Sequence, residues 1–203
     1  MVEGRQSEHN NDWPPVREEF NYYKEIISKL QDIEDTADKD VIRKVTNIFR
    51  CEYQKYLGLG KRVFIIGNGG SCAIAEHIST DLNKRCKVKA TTLSNNSLLT
   101  ALTNDYGQEN AFVEWLKMNH FGQTDFLVAI SSSGKSPNVL NAISHANDCL
   151  GYVLAIFGMD GETPFTGNRY ENNYIHIDSH NYGVIELTSE IILHGIVEDL
   201  VIE

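Results

Sequence analysis

The chain has 203 residues, 41% of them hydrophobic, and its 18 Lys and Arg against 28 Asp and Glu leave a formal charge of −10. This composition supports a substantial core and excludes a disordered chain, and the acidity argues against a protein that binds nucleic-acid phosphates broadly. The apolar runs are too short to span a bilayer, so we expect no membrane partner. The four scattered cysteines form no CxxC pair, which favours a cytoplasmic protein with reduced thiols.

The first 60 residues predict a polar lead-in followed by two helices. Residues 1–15 are polar, lack the pattern of a secretory signal and end in Trp13-Pro14-Pro15, so we expect them to be disordered. In residues 16–60 apolar side chains recur at helical spacing, with the first stripe at Val16, Phe20, Tyr23, Ile27 and Leu30 and the second at Val41, Val45, Ile48, Phe49, Tyr53 and Tyr56. These helices need a surface on which to bury the stripes, either the rest of the domain or a partner subunit.

From residue 61 to residue 203 short apolar strands alternate with helical stretches. The predicted strands cover 63–66, 88–93, 126–130, 152–157 and 174–177, and the predicted helices begin at 71, 97, 109, 137 and 184. Continuously apolar strands between helices indicate an α/β fold whose mostly parallel sheet is covered on both faces. Ligands of such sheets bind at the carboxyl ends of the strands, so the loops after the first and third strands are the candidate site.

The first of these loops reads Gly67-Asn68-Gly69-Gly70-Ser71 and lies between a strand and a helix. Glycines allow close approach of a ligand, and the amino end of a helix favours an anion or sugar hydroxyls. A dinucleotide fingerprint would need a glycine where Cys72 stands, and an acid where the next strand runs into Ser94-Asn95-Asn96. A nucleotide cofactor is therefore not expected.

The second loop reads Ser131-Ser132-Ser133-Gly134-Lys135-Ser136 and precedes Pro137. It satisfies a relaxed P-loop pattern that starts at Ala129, but that residue lies inside the strand, so the loop is too short to wrap a triphosphate. Four hydroxyls, backbone N–H groups and a lysine at a helix start suit a single phosphomonoester. The alternative is a polar turn with serine caps.

Two helices carry acids and histidines at offsets that place them on one face. His77 and Asp81 lie four residues apart, and Glu186, Glu190 and His194 follow one another at the same spacing. Neutral imidazoles and carboxylates in this arrangement can hold a divalent ion such as zinc, although an exposed pair of this kind is commonly just a helix surface. Glu186 and His194 are separated by roughly 12 Å of helix rise, so Glu190 is a rival ligand.

In order and spacing, these motifs resemble the SIS-domain phosphoheptose isomerases; the residues concerned are 67–71, His77, 104–107 and 131–137. The resemblance implies a three-layer SIS-type fold in which a five-stranded parallel sheet is flanked by helices, with N-terminal helices added. It also implies a homotetramer with active sites at subunit interfaces. The implied reaction converts sedoheptulose 7-phosphate to D-glycero-D-manno-heptose 7-phosphate through an enediol or enediolate.

The resemblance also assigns individual residues. The phosphate would be bound by Ser131, Ser132, Ser133 and Ser136, and the rest of the substrate by Asn68, Gly69, Gly70, Ser71, Asn104, Asp105 and Glu186. Zinc-binding members of the family use His, Glu, Gln and His, which fall here on His77, Asp81, Glu186 and His194. Asp81 would be the base and His194 the acid.

This chain departs from the family pattern at two of the four metal positions, where Glu has become Asp81 and Gln has become Glu186. An aspartate is one methylene shorter, so Asp81 could be chiefly a metal ligand while Glu186 or Glu190 takes the proton. The alternative to an isomerase is a non-catalytic SIS domain that binds a phosphosugar as a regulator or protein adaptor.

Overall fold

A single parallel sheet of five strands forms the centre of the computed structural model, which describes residues 21–35, 43, 47, 61–159 and 174–201. The strands are β1 (Arg62–Gly67), β2 (Lys89–Thr92), β3 (Phe126–Ser131), β4 (Tyr152–Gly158) and β5 (Tyr174–Ile177), and their spatial order is β2-β1-β3-β4-β5. Every neighbouring pair is parallel. The order reverses between β1 and β3, so the loops that follow these two strands meet at the crevice where such sheets bind ligands.

Helices cover both faces of the sheet. They are α1 (Asn21–Asp35), α2 (Gly70–Lys84), α3 (Asn96–Tyr106), α4 (Ala111–Met118), α5 (Pro137–Asp148) and α6 (Tyr182–Leu200), with a 3-10 turn at Gln108–Asn110. One buried cluster joins α2 and α6 to one face, and a second joins α3, α4 and α5 to the other. The three-layer SIS-type architecture expected from the sequence is thus confirmed.

The predicted strands match the observed ones to within one or two residues at each end. Strands β3 and β4 are the easiest to predict, because burial on both faces makes their residues nearly continuous apolar runs in the sequence. Of the two predicted N-terminal helices, the first is present as α1, whereas most of the second, and the boundaries at residues 15 and 60, lie outside the described residues.

One residue of the predicted apolar stripe of α1 is not covered by the rest of the domain. Ile27 is 55% exposed, whereas its neighbour Ile26 is only 6% exposed. The helix packs against α6, and this contact turns Ile26 inwards. Glu25 helps to fix the orientation by accepting a hydrogen bond of 2.6 Å from the Ser179 hydroxyl.

An ion pair lies at the amino ends of the central strands β1 and β3, opposite the candidate site. Arg62 donates from Nε and Nη2 to both oxygens of the buried Asp125 carboxylate, at 3.1 and 2.6 Å. The same carboxylate accepts the Gly122 N–H, and Arg62 also donates to the carbonyls of Asn119 and His120. Since these bonds satisfy the buried charge, the network anchors β1 to the loop before β3.

No helix among the described residues is long and apolar enough to cross a membrane.

Candidate active site

The loop after β1 depends on glycines for two different reasons. A Cβ at Gly67 would lie 2.6 Å from Ser71 Cβ, so this glycine allows α2 to pack directly on the end of the strand. Gly69 has a φ of 56°, in the left-handed region that glycine tolerates best, and it precedes the first residue of α2. The amino end of α2 therefore opens towards the crevice.

The loop after β3 presents hydroxyl groups at the start of another helix. Gly134 takes a φ of 63°, and its N–H donates to the carbonyl of Ser131, which closes the turn. Pro137 occupies the first turn of α5, and the Ser136 side chain makes no capping bond to that helix. Instead, the Ser136 hydroxyl lies 3.4 Å from the Ser131 hydroxyl, where both can turn towards a ligand.

These two loops and the start of α6 enclose a cavity of about 270 Å³. It is lined by Asn68, Gly69, Gly70, Ser71, Ile130, Ser131, Ser132, Ser133, Ser136, Tyr182 and Glu186. In the described part of the chain no lysine or arginine lines it, so the available donors are hydroxyls and backbone N–H groups. Since α2 and α5 both begin at this cavity, their positive ends favour an anion there.

A second cavity of about 200 Å³ adjoins the first and shares Asn68 and Ser136 with it. Its other lining residues are Gln108, Glu109, Pro137 and Asn138. The side-chain amides of Asn68 and Asn138 bond to each other reciprocally, at 3.0 and 2.9 Å. The Asn138 side chain also accepts the Val139 N–H, which fixes this amide pair beside both cavities.

Helices α2 and α6 lie side by side and run in the same direction. Contacts between them occur in the same order along both helices. Glu186 lies against Gly70 at the start, and near the end the thiol of Cys86, just beyond α2, donates to the carbonyl of Val197. Between these contacts, His194 of α6 meets the His77 and Asp81 pair of α2. The two helices thus join the cavity at their amino ends to a cluster of titratable groups further along.

The cluster consists of His77, Asp81 and His194. Asp81 Oδ2 lies 3.7 Å from His77 Nε2 and 3.8 Å from His194 Nδ1, and the two imidazole centroids are 5.0 Å apart. The Asp81 side chain is 17% exposed, whereas those of His77 and His194 are 52% and 35% exposed. One ligand atom from each residue lies within 4.8 Å of the others.

This set of donors fits a divalent cation such as zinc. Two imidazoles and a carboxylate are common zinc ligands, and tetrahedral ligands of one zinc ion lie about 3.3 Å apart. The distances of 3.7 and 3.8 Å from Asp81 Oδ2 are close to this value, and all three ligand atoms lie within 4.8 Å of one another.

Comparisons with known proteins identify the family of this chain. The family model described as SIS domain matches residues 21–158. The phosphoheptose isomerase of Sulfurimonas denitrificans is 34% identical over 149 residues, which are 69% of this chain and 75% of that protein. Phosphoheptose isomerase 1 of Campylobacter jejuni is 34% identical over 153 residues, or 72% of this chain and 76% of that protein. The chain belongs to the phosphoheptose isomerase family of SIS-domain proteins.

Solved structures agree on the fold. The phosphoheptose isomerase of Neisseria gonorrhoeae superposes with a TM-score of 0.76 at 24% identity, covering 89% of this chain and 95% of that one. The phosphoheptose isomerase of Francisella tularensis gives a TM-score of 0.75 at the same identity, over 89% and 94% of the two chains.

Most of the expected substrate-binding residues line the first cavity, but two do not. Of the residues expected to contact the sugar, Asn104 and Asp105 lie on the exposed face of α3, where Asn104 donates to the Asp105 carboxylate at 2.9 Å. Among the residues that the structure describes, neither of them belongs to the lining of either cavity. Their role in binding stays a prediction.

Glu186 lies apart from the three other expected metal ligands. It lines the cavity, and its carboxylate lies so close to Gly70 that a Cβ there would be 2.4 Å from Oε1. The described His and Asp residues His77, Asp81 and His194 form the cluster without it. This division follows from helix geometry, because Glu186 and His194 are two turns apart on α6.

Sequence reasoning missed Asn138, Tyr182, Gln108 and Glu109, which line one or other cavity. Asn138 follows Pro137 in the first turn of α5, at the carboxyl end of β3 where ligands of such sheets bind, and its burial (6% exposed) needs a polar partner. This helix-start position could have identified Asn138. By contrast, no pattern in the sequence distinguishes Gln108 or Glu109 from an ordinary turn.

Proposed function

We propose that this protein is an aldose–ketose isomerase that converts sedoheptulose 7-phosphate to D-glycero-D-manno-heptose 7-phosphate. The relatives at 34% identity carry the name phosphoheptose isomerase, and the cavity is suited to the phosphate of such a substrate. Isomerisation moves a proton between adjacent carbons, so the protein must supply an anchor for the phosphate and an acid–base pair at the carbonyl end.

The observation that carries the proposal is that the same two helices, α2 and α6, border the cavity and carry the His77–Asp81–His194 cluster. Their amino ends border the hydroxyl-rich cavity, and their middles bring the imidazoles and the carboxylate together. His77 lies seven residues beyond Gly70, which corresponds to about 10 Å along the helix. Asp81 lies four residues further, at about 16 Å, so the phosphate site and the proton-transfer groups are well separated, which favours a sugar phosphate with a long carbon chain over a triose phosphate.

The serine hydroxyls and the backbone N–H groups at the helix starts hold the phosphate and fix the register of the sugar chain. Asp81 removes a proton from the carbon next to the carbonyl, and His194 donates a proton to the oxygen as the enediol forms. His77, Asp81 and His194 would hold a divalent cation through one atom each, with zinc as the favoured ion. Bound there, the cation would polarise the carbonyl oxygen in place of the proton from His194, while the second carboxylate oxygen of Asp81 would stay available to accept the proton. Glu186 accepts hydrogen bonds from sugar hydroxyls in the cavity.

We further propose that the active protein is a homotetramer whose subunits meet near this site. Support comes from apolar side chains on α1 and α6 that point outwards, where Ile27 is 55%, Leu187 38% and Ile191 45% exposed. Leu187 and Ile191 are four residues apart on the helix that carries Glu186 and His194. A partner that covers them would also enclose the exposed side of His77 and exclude water from the reacting carbons.

A substrate screen tests this function. Five-, six- and seven-carbon sugar phosphates are compared by thermal shift, and each compound that binds is then assayed for turnover with the metal-loaded protein. Ligand binding to the native state raises Tm, so an inactive protein still reports its ligand. We expect the largest shift and turnover with sedoheptulose 7-phosphate, and binding without any turnover would instead support the non-catalytic phosphosugar-binding function.

A further inference from the structure

Arg85 lies between two carboxylates at the far end of the cluster. Its Nη1 and Nη2 lie 2.7 Å from the two oxygens of Glu198, a bidentate pair that joins α2 to α6. The same guanidinium approaches Asp81, with Nη1 3.8 Å from Oδ2. Asp81 is therefore surrounded by His77, His194 and Arg85, of which only Arg85 is permanently charged.

Glu198 is the stronger partner of this arginine. The bidentate contacts at 2.7 Å have the ideal geometry for a charge-assisted pair, whereas the contact with Asp81 at 3.8 Å is purely coulombic. The hydrogen bond from Arg85 holds the pKa of the Glu198 carboxyl below its usual range, so Glu198 is ionised near neutral pH. Glu198 thus keeps the guanidinium on its own side and prevents it from forming close hydrogen bonds with Asp81.

A cation bound by the cluster would compete with Arg85 for the Asp81 carboxylate. If Arg85 moved to pair directly with Asp81, its positive charge would neutralise the carboxylate. Its N–H groups would also occupy the lone pairs that a cation needs. We propose that Arg85 and Glu198 form a clasp that sets the affinity of the His77–Asp81–His194 cluster for a divalent cation: Arg85 weakens binding, and Glu198 relieves that weakening by holding Arg85 back. The inference rests on the metal site of the proposed function and adds two residues to it.

Two substitutions should change metal affinity in opposite directions. Arg85→Met removes the competing charge and keeps most of the side-chain volume, so Zn²⁺ binding should tighten about tenfold. Glu198→Gln releases Arg85 to pair with Asp81, so Zn²⁺ binding should weaken about threefold or more. The double variant should behave like Arg85→Met, because Glu198 acts mainly through the arginine, and this non-additivity is the signature of the clasp.

The measurement uses the full chain without substrate. Zn²⁺ affinity is determined by competition with a chromophoric chelator, and the visible absorption of the Co²⁺ form reports whether the ligands are tetrahedral. The matched control is Lys84→Met, which removes the same charge from the adjacent exposed position on α2. It should leave Zn²⁺ affinity nearly unchanged, because an exposed charge is screened by solvent.

Three results would overturn the clasp. If both single variants weaken Zn²⁺ binding, the pair only holds α2 against α6, and if neither changes it, Arg85 does not compete for Asp81. If the wild-type protein binds no Zn²⁺ or Co²⁺, the cluster is not a metal site and the clasp has no role, whereas turnover of the metal-free protein decides separately whether the isomerase function stands. Circular dichroism of each variant verifies folding, and Glu198 and Arg85 are exposed enough for both changes to be tolerated.

Discussion

At the scale of single residues, two glycines of the first loop have different neighbours. A Cβ at Gly67 would lie 2.6 to 2.8 Å from the side chain and backbone of Ser71, which cannot move without shifting α2. A Cβ at Gly70 would meet only the end of the Glu186 side chain, at 2.4 to 2.5 Å. Gly67 is therefore required by the fold, whereas Gly70 is required by the position of a carboxylate in the cavity.

Alanine substitutions should separate these two roles. Gly67→Ala should lower the free energy of unfolding by about 1–3 kcal/mol, as overpacking does elsewhere. Gly70→Ala should leave Tm nearly unchanged because Glu186 can rotate away, but it should weaken sugar-phosphate binding several-fold. Chemical denaturation and titration calorimetry with the substrate measure the two quantities, and equal loss of stability in both variants would contradict this interpretation.

The sequence predicted the position of site residues wherever a motif determines the local backbone conformation. The glycine loop and the serine loop were both predicted as parts of one site, because each follows a buried strand and precedes a helix. The position of Glu186 could not be predicted in this way. From the sequence alone, the Glu186 side chain could lie in the cavity or beside the histidine cluster. It lies in the cavity because Gly70, on another helix, leaves space for its carboxylate.

At the scale of elements, strands β3 and β4 were predictable because burial on both faces makes them almost continuously apolar. Which residues of α1 face the core could not be predicted, because two adjacent isoleucines fit a helical stripe about equally well. Only the packing of α1 on α6 decides that Ile26 rather than Ile27 is buried. An amphipathic pattern thus predicts a helix more securely than it predicts which residue faces the core.

The last turn of α5 contains a histidine that should make stability depend on pH. Desolvation by burial lowers the pKa of His145 from its usual 6.5, and the charge of Lys117 lowers it further. The unfolded chain therefore takes up a proton as pH falls through about 6.5, while the folded chain does so only at lower pH. The free energy of unfolding should consequently fall as pH decreases from about 6.5 to the lowered pKa and not change further through this residue below it.

His145→Gln should flatten the dependence in that window, because glutamine does not titrate. The neutral side chain can occupy the half-buried position beside Cys149, whose sulfur lies 3.6 Å from His145 Nε2. Denaturant melts at closely spaced pH values measure the slope. As a control, Ser144→Ala changes an exposed, non-titrating neighbour on α5 and should preserve the slope, and a slope that persists in His145→Gln would show that another group is responsible.

At the scale of the whole molecule, the exposed apolar side chains of α1 and α6 indicate a surface for a second copy. Neither the fold nor the cavity explains why Ile27 and Ile191 are 55% and 45% exposed. The sequence predicted that the N-terminal helices need a surface on the rest of the domain or on a partner subunit, but it could not show which residues remain uncovered. That depends on how one subunit packs its own helices.

Ile191→Asp should disrupt the proposed assembly. A carboxylate at this position would be buried without a partner if subunits meet there, so the species in light scattering should become smaller and turnover should fall with it. A charge at exposed Met118, on α4 and away from α6, provides the control, since Met118→Asp should leave the mass unchanged. A wild-type protein that is already monomeric, or an unchanged mass in Ile191→Asp, would contradict the interface.

The proposed isomerase activity depends most on the acid–base pair formed by Asp81 and His194, whose side chains come from different helices and approach to 3.8 Å. The direct measurement is the conversion of sedoheptulose 7-phosphate in D₂O by the wild-type protein and by Asp81→Asn and His194→Ala. We predict an aldose product that carries deuterium at the carbon next to its aldehyde, and a rate at least about a hundredfold lower in each variant, the usual scale for a general acid or base. Conversion at the wild-type rate in either variant would contradict the central claim.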